Sequence, residues 1–190
     1  MNTSDAIIKR RSIRKFLPKE IPASVLKEII SLSRLYPSGG NLQPVRFAIV
    51  TAPGVRDSIF ADLGWAMYLP EFTIGDHERP TGYIVLLRDA RVKQRCDYDI
   101  GAASTVVMLS AVEHGLATCP IANFNRNNLS ALLQLEKELV PELVIAIGYP
   151  AQESRVVPME DSVKYFEDES KTLLVPKHDT DAVIVYSDLL

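Results

Sequence analysis

Arg10, Arg11, Ser12 and Arg14 place three guanidinium groups and a hydroxyl within five residues, a set suited to gripping a compact anion such as a phosphate. Guanidinium forks take phosphate oxygens two at a time, and a nearby hydroxyl or amide completes the shell. A solvated basic helix terminus would use the same residues, so the cluster needs a second feature beside it. The stretch Pro37-Ser38-Gly39-Gly40-Asn41-Leu42-Gln43-Pro44 supplies one. Two glycines let backbone approach a flat ligand, while Ser38, Asn41 and Gln43 offer donors and acceptors to hydroxyls or ring edges. A bare helix-to-strand turn needs only the glycines.

Other chemistries find no footing in the chain. His77, His114 and His178 are isolated, without His-x-x-x-His or paired cysteines, so no metal site is expected. There is no Gly-x-Ser-x-Gly elbow and no P-loop. The net charge of −3 and the scatter of the remaining basic residues argue against a nucleic-acid partner. Cys96 and Cys119 lack CxxC spacing and no signal peptide precedes them, which fits a cytoplasmic protein with free thiols. No apolar run reaches the roughly 18 residues that cross a bilayer, so no membrane partner is expected. With 47% apolar and 24% charged residues, the chain reads as a single domain over 1–190.

The elements that would position these groups follow from periodicity. Ser4 can cap a short helix to about Lys9, and Pro22 opens a second on which Val25, Leu26, Ile29 and Ile30 recur at helical spacing. Val45 to Thr51, Tyr83 to Leu87 and Leu143 to Ile147 read as buried strands. A helix starting at Asp97 or Asp99 runs to about His114 and stops at Gly115; it is apolar almost all round and must be covered on several sides, by a core or by a second subunit. Residues 52–82, with Trp65, Tyr68 and Phe72, read as a lid over a ligand or as a peripheral helix pair. Residues 151–190 form a loose extension whose run Ala182 to Tyr186 reads as a strand able to join a distant sheet.

Taken together, Arg10-Arg11-Ser12-Ile13-Arg14-Lys15-Phe16 and Pro37 to Phe47 resemble the opening of the nitroreductase family. Asp99-Ile100-Gly101-Ala102-Ala103 is similar to the start of that family's central helix, and Gly115 to Phe124 to its Gly-Leu-Gly-x-x-x-Ile-x-x-Phe segment. Ile147-Gly148-Tyr149-Pro150 matches its late strand and turn. The resemblance implies an α+β fold with a central, mostly antiparallel sheet flanked by helices, and a homodimer that exchanges C-terminal strands. It implies FMN as cofactor and NADH or NADPH as electron donor, with no catalytic side chain because hydride transfer runs through flavin N5.

By the same resemblance, Arg10, Arg11 and Ser12 hold the FMN phosphate, with Lys177 from the C-terminal stretch, and Arg14 lies near flavin N1 and O2. Pro37, Ser38, Gly39, Asn41 and Gln43 arrive from the partner subunit, and the backbone of Ile121, Ala122 and Asn123 faces N5. Arg155 and His178 are secondary candidates for the phosphate. The expected reaction is ping-pong reduction of a nitroaromatic, quinone or similar small electron-poor acceptor, and the missing GxGxxG agrees with a nicotinamide that docks directly on the flavin. Val45 replaces the family's usual Trp, and Ala122-Asn123 a frequent Glu-Gly pair. Specialised relatives, namely deiodinase-like reductive dehalogenases, flavin-destroying enzymes and azoline oxidases, share the pattern; a flavin-storage protein is the alternative of another class.

Overall fold

Continuous β-branched and aliphatic runs can be satisfied only where both faces are covered, and they form the centre of this molecule. The computed structural model describes residues 2–188 of the chain. Strands β1 (Val45–Val50), β2 (Gly82–Asp89), β3 (Ala117–Ile121) and β4 (Leu139–Gly148) make one sheet of order β1-β2-β4-β3. Every pairing is antiparallel, with Val45 opposite Arg88, Gly82 opposite Ile147 and Ala117 opposite Gly148. The fold is therefore α+β, as expected, with β2 and β4 in the middle.

Side chains of the central strands alternate between two cores. Ile84, Leu86, Ile145 and Ile147 point toward helices α2 (Ala23–Ser33) and α4 (Asp97–Glu113) and meet Leu26, Ile29, Ala103 and Val107. Tyr83, Val85, Val144 and Ala146 point the other way, toward Phe16, Leu63, Ile59 of α3 (Pro53–Asp62) and Leu129 of α5 (Arg126–Leu132). Gly115, at φ +70°, ends the α4 segment in the left-handed conformation that favours glycine.

Several local details differ from expectation. Helix α1 (Thr3–Lys9) is capped by Asn2, whose side chain accepts the Asp5 N–H at 2.9 Å while the Asp5 carboxylate reaches back to the Asn2 N–H at 3.4 Å. Ser4 lies inside the helix, because the reciprocal pair places the cap two residues earlier. Strand β3 has low intrinsic propensity and contains Pro120, which a sheet tolerates on an edge strand. In residues 52–82, α3 takes the first third and the remainder is largely irregular.

Beyond residue 150 the chain forms a second sheet of β5 (Ser154–Pro158), β6 (Phe166–Glu167) and β7 (Leu173–Lys177), with β5 and β7 parallel. The run Ala182 to Tyr186 is not a strand. The Asp179 carboxylate accepts the Ala182 N–H at 2.8 Å and winds the backbone into the short α6 (Thr180–Val183). A strand needs a partner edge, and these exposed residues pair with no strand among the described residues.

Gly148 is the tightest approach between the sheet and the N-terminal segment. A Cβ there would lie 2.8 Å from Cδ1 and 3.1 Å from Cβ of Phe16, a side chain with no solvent exposure. Gly148→Ala is expected to lower stability by about 1–3 kcal/mol through overpacking. Urea unfolding checks this, by a lower midpoint with an unchanged slope.

Candidate functional site

After α1 the chain runs extended along the outer edge of β3, and hydrogen bonds fix its course. The Ile13 N–H donates to the Thr118 carbonyl at 3.0 Å, and Ser12 and Thr118 form a parallel bridge. Ile13 and Phe16 are buried, which pins the intervening residues between two anchors. The Arg14 N–H donates to Oε1 of Gln152 at 3.3 Å. Strand β7 ends nearby and delivers Lys177.

The result is a cavity of about 160 Å³ walled by Arg10, Arg11, Ser12, Arg14, Tyr165 and Lys177, with Leu173 and Val175 completing it. Four cations and a hydroxyl thus converge, and none of these lining residues is a carboxylate. Burial, and then the neighbouring Arg10 charge, push the pKa of the Arg11 guanidinium below its ordinary value. The smaller, like-charge part of that effect is one that a bound anion would relieve. Arg11 donates to the Ile8 carbonyl, and Arg14 Nη1 to the Ser12 carbonyl at 3.4 Å.

The loop 37–44 is equally defined but lies elsewhere. Gly40, Asn41 and Gln43 adopt φ of 60°, 54° and 50°, so the backbone turns sharply at the tip. Ser38 Oγ accepts the Gln43 N–H at 3.0 Å, and the Ser38 carbonyl accepts the Asn41 N–H at 2.9 Å. Asn41 and Gln43 are left exposed. Behind the loop, the Tyr36 hydroxyl accepts the Val45 N–H at 3.1 Å, and Lys93 pairs with buried Asp99 at 2.6 Å. Lys93 Nζ stands 3.8 Å from the place a Gly39 Cβ would take, so this ion pair backs the loop. The loop feeds β1, at the sheet edge opposite β3. Three strand spacings, roughly 14 Å, separate those edges.

Of the residues at the end of β3, Ile121 faces the core at 6% exposure and presents no side chain to a ligand. Ala122 and Asn123 are exposed. The Asn123 carbonyl accepts the Gly64 N–H at 2.9 Å, and a Cβ on Gly64 would fall 2.0 Å from the Asn123 amide nitrogen. This contact locks the base of the 63–75 segment to the end of β3. Arg155 pairs with Glu153 at 3.1 Å and does not line the cavity, nor does exposed His178. Lys177 is therefore the cation that the C-terminal stretch contributes.

The aromatic residues of the lid each have a partner. Trp65 lies 5.5 Å from the Phe60 ring, Phe72 lies 5.5 Å from Lys15 Nζ, and Tyr68 lies 5.1 Å from Tyr165. Tyr165 and Gln152 touch Arg14 yet carry no pattern in the sequence that marks them; only tertiary placement shows their role.

The nitroreductase family model matches residues 7–71 and 78–149. The chain belongs to the nitroreductase family. Among its relatives, an NADH dehydrogenase of Thermus thermophilus is 23% identical over 84% of this chain and 94% of its own length. A 4-nitrobenzoate reductase of Pseudomonas putida is 26% identical over 80% and 87%. The fold matches a nitroreductase family protein of Clostridium difficile 630 over the full length of both chains, with a TM-score of 0.72 at 19% identity. It also matches an FMN-dependent nitroreductase of Clostridium difficile R20291 over 82% of this chain and 91% of that one, with a TM-score of 0.65 at 23% identity. The matched family residues include the arginine cluster and the loop, whereas Tyr165 and Lys177 lie beyond them.

The cavity itself can be tested without any cofactor. Inorganic phosphate is expected to raise the melting temperature with the logarithm of its concentration above Kd, by a stabilisation of about 2.7 kcal/mol at a hundredfold excess. Chloride at equal ionic strength is expected to do less, and Arg10→Met or Lys177→Met to blunt the phosphate effect in a thermal shift series.

Proposed function

We propose that this nitroreductase-family chain is an FMN-dependent oxidoreductase that takes electrons from NADH or NADPH and passes them to a small electron-poor acceptor, such as a nitroaromatic or a quinone. The observation that carries this reading is the convergence of Arg10, Arg11, Ser12, Arg14 and Lys177 on one cavity with no carboxylate among its walls. Its donor set fits a phosphate monoester: forked guanidinium groups, an ammonium and a hydroxyl. The names of two relatives, an NADH dehydrogenase and a 4-nitrobenzoate reductase, point the same way.

When bound, FMN supplies the two-electron hydride chemistry. The work of the chain is to hold, orient and tune it. Arg10, Ser12 and Lys177 grip the phosphate, with Arg11 adding charge. Arg14, one wall further along, places a permanent cation beside the ring and favours the negative charge that reduction leaves there. Pro37, Ser38, Gly39, Asn41 and Gln43 serve the flavin of a second copy, which accounts for a well-built polar loop on the sheet edge away from its own arginine cluster. The backbone of Ala122 and Asn123 meets the reactive edge of the ring.

A homodimer also gives a role to exposed apolar residues of α1 and the α2 end: Ile7 at 54%, Ile8 at 68% and Leu35 at 65% exposure. Ile184, Val185 and Tyr186, exposed in one chain, would find a partner edge there. Cys96 and Cys119 are both buried free thiols, which supports a cytoplasmic setting. No helix among the described residues is long and apolar enough to cross a membrane.

The purified protein is expected to be yellow with about one FMN per chain. NADH or NADPH added under anaerobic conditions should bleach it rapidly, and a nitroaromatic or quinone should restore the colour. Arg14→Ala and Asn41→Ala should each weaken FMN retention about tenfold, the loss of a hydrogen bond involving charge or a buried amide. A colourless protein without flavin affinity refutes the reading, and flavin that NAD(P)H bleaches only slowly assigns storage in place of turnover.

A further inference from the structure

Arg14 is held differently from the other cations around it. Lys15 pairs with Glu78 at 3.0 Å and Arg155 with Glu153 at 3.1 Å, but among the described residues Arg14 has no carboxylate partner. Its guanidinium makes one long contact, 3.4 Å to the Ser12 carbonyl, and otherwise lies over the Tyr165 ring with its carbon 4.7 Å from the ring centroid. A cation over an aromatic face gains attraction from the ring quadrupole while its N–H groups stay free at the edge. Tyr165 thus orients Arg14 without neutralising it, as a cation that must meet a ligand requires.

The same tyrosine faces the lid. Its ring packs on Tyr68 at 5.1 Å and a tilt of 57°, and its hydroxyl accepts the Tyr68 N–H at 3.4 Å. The lid is pinned at its base by Gly64 on Asn123 and further along by Phe72 on Lys15, and Tyr68 attaches it to the C-terminal arm. Met67, between the two, is 77% exposed. Lid, arm and cavity wall meet in this one ring.

We propose that Tyr165 is a positioning residue that holds Arg14 toward the flavin and ties its orientation to the lid through Tyr68. The part concerning the flavin rests on the FMN reading above; the link between lid and arm stands apart from it. Tyr165→Leu removes both contacts, whereas Tyr165→Phe keeps the ring over Arg14 and removes the hydroxyl that accepts from Tyr68.

Three readings separate these roles: FMN affinity, the midpoint potential of bound FMN, and the rate at which a protease specific for aromatic residues cuts the lid near Tyr68 in flavin-free protein. Tyr165→Leu is expected to weaken FMN binding about tenfold, within the range of a desolvated cation–aromatic contact. It should also shift the potential to a more negative value by about 30 mV, a tenfold loss of preference for reduced flavin in a two-electron couple. Lid cleavage should quicken several-fold in both variants, while Tyr165→Phe keeps FMN affinity within about twofold and the potential within about 10 mV of the wild type, since its ring still covers Arg14. Wild-type potential and affinity in Tyr165→Leu, or equal shifts in the two variants, overturn the positioning role. If the wild type binds no flavin, the FMN reading fails by itself, and unchanged lid cleavage in both variants is then the result that overturns the link.

Discussion

Three guanidinium groups within five residues repel one another, and the structure depends on how that repulsion is contained. The backbone does the holding: Ile13 on Thr118, Ser12 bridged to the same residue, and Phe16 sealed against Gly148. Because the tether runs through main chain and apolar side chains, no carboxylate is spent on pairing Arg10, Arg11 or Arg14. A buried carboxylate partner would stabilise the empty protein and compete with any anionic ligand.

The loop 37–44 solves the opposite problem. Asn41 and Gln43, at positive φ without being glycine, carry local strain, and the loop keeps its shape because Ser38 binds across it and Lys93–Asp99 stands behind it. Cluster and loop are therefore two rigid half-sites at opposite edges of one sheet. Within one chain the width of the sheet keeps them apart.

Much of this was legible in the sequence because it is local. The cluster, the loop, α2, the end of α4 at Gly115 and the three apolar strands all announce themselves within a few residues. What escaped depended on context. Strand β3 is made by its neighbours, being an edge strand of small residues with a proline. Asn2 wins the cap from Ser4 through a reciprocal bond with Asp5. Ala182 to Tyr186 has strand composition, but Asp179 turns it into a helix where no edge is at hand. Ile121 turns its side chain into the core by strand alternation, which leaves only its backbone to meet a ligand. Tyr165 had no signal at all; an isolated tyrosine among charged residues becomes informative only once Arg14 and Tyr68 are beside it.

The bridge between Ser12 and Thr118 has a second consequence, for the colloidal behaviour of the protein. A strand edge is a template for pairing with other chains, and β3 would offer one. The arginine-rich segment lies along that edge, occupies the Thr118 carbonyl and surrounds it with like charges that repel an incoming strand. The residues that prepare the cavity for an anion thus also act as gatekeepers against sheet-to-sheet association. A chain shortened past Phe16 would bare this edge and lose its electrostatic guard in the same step.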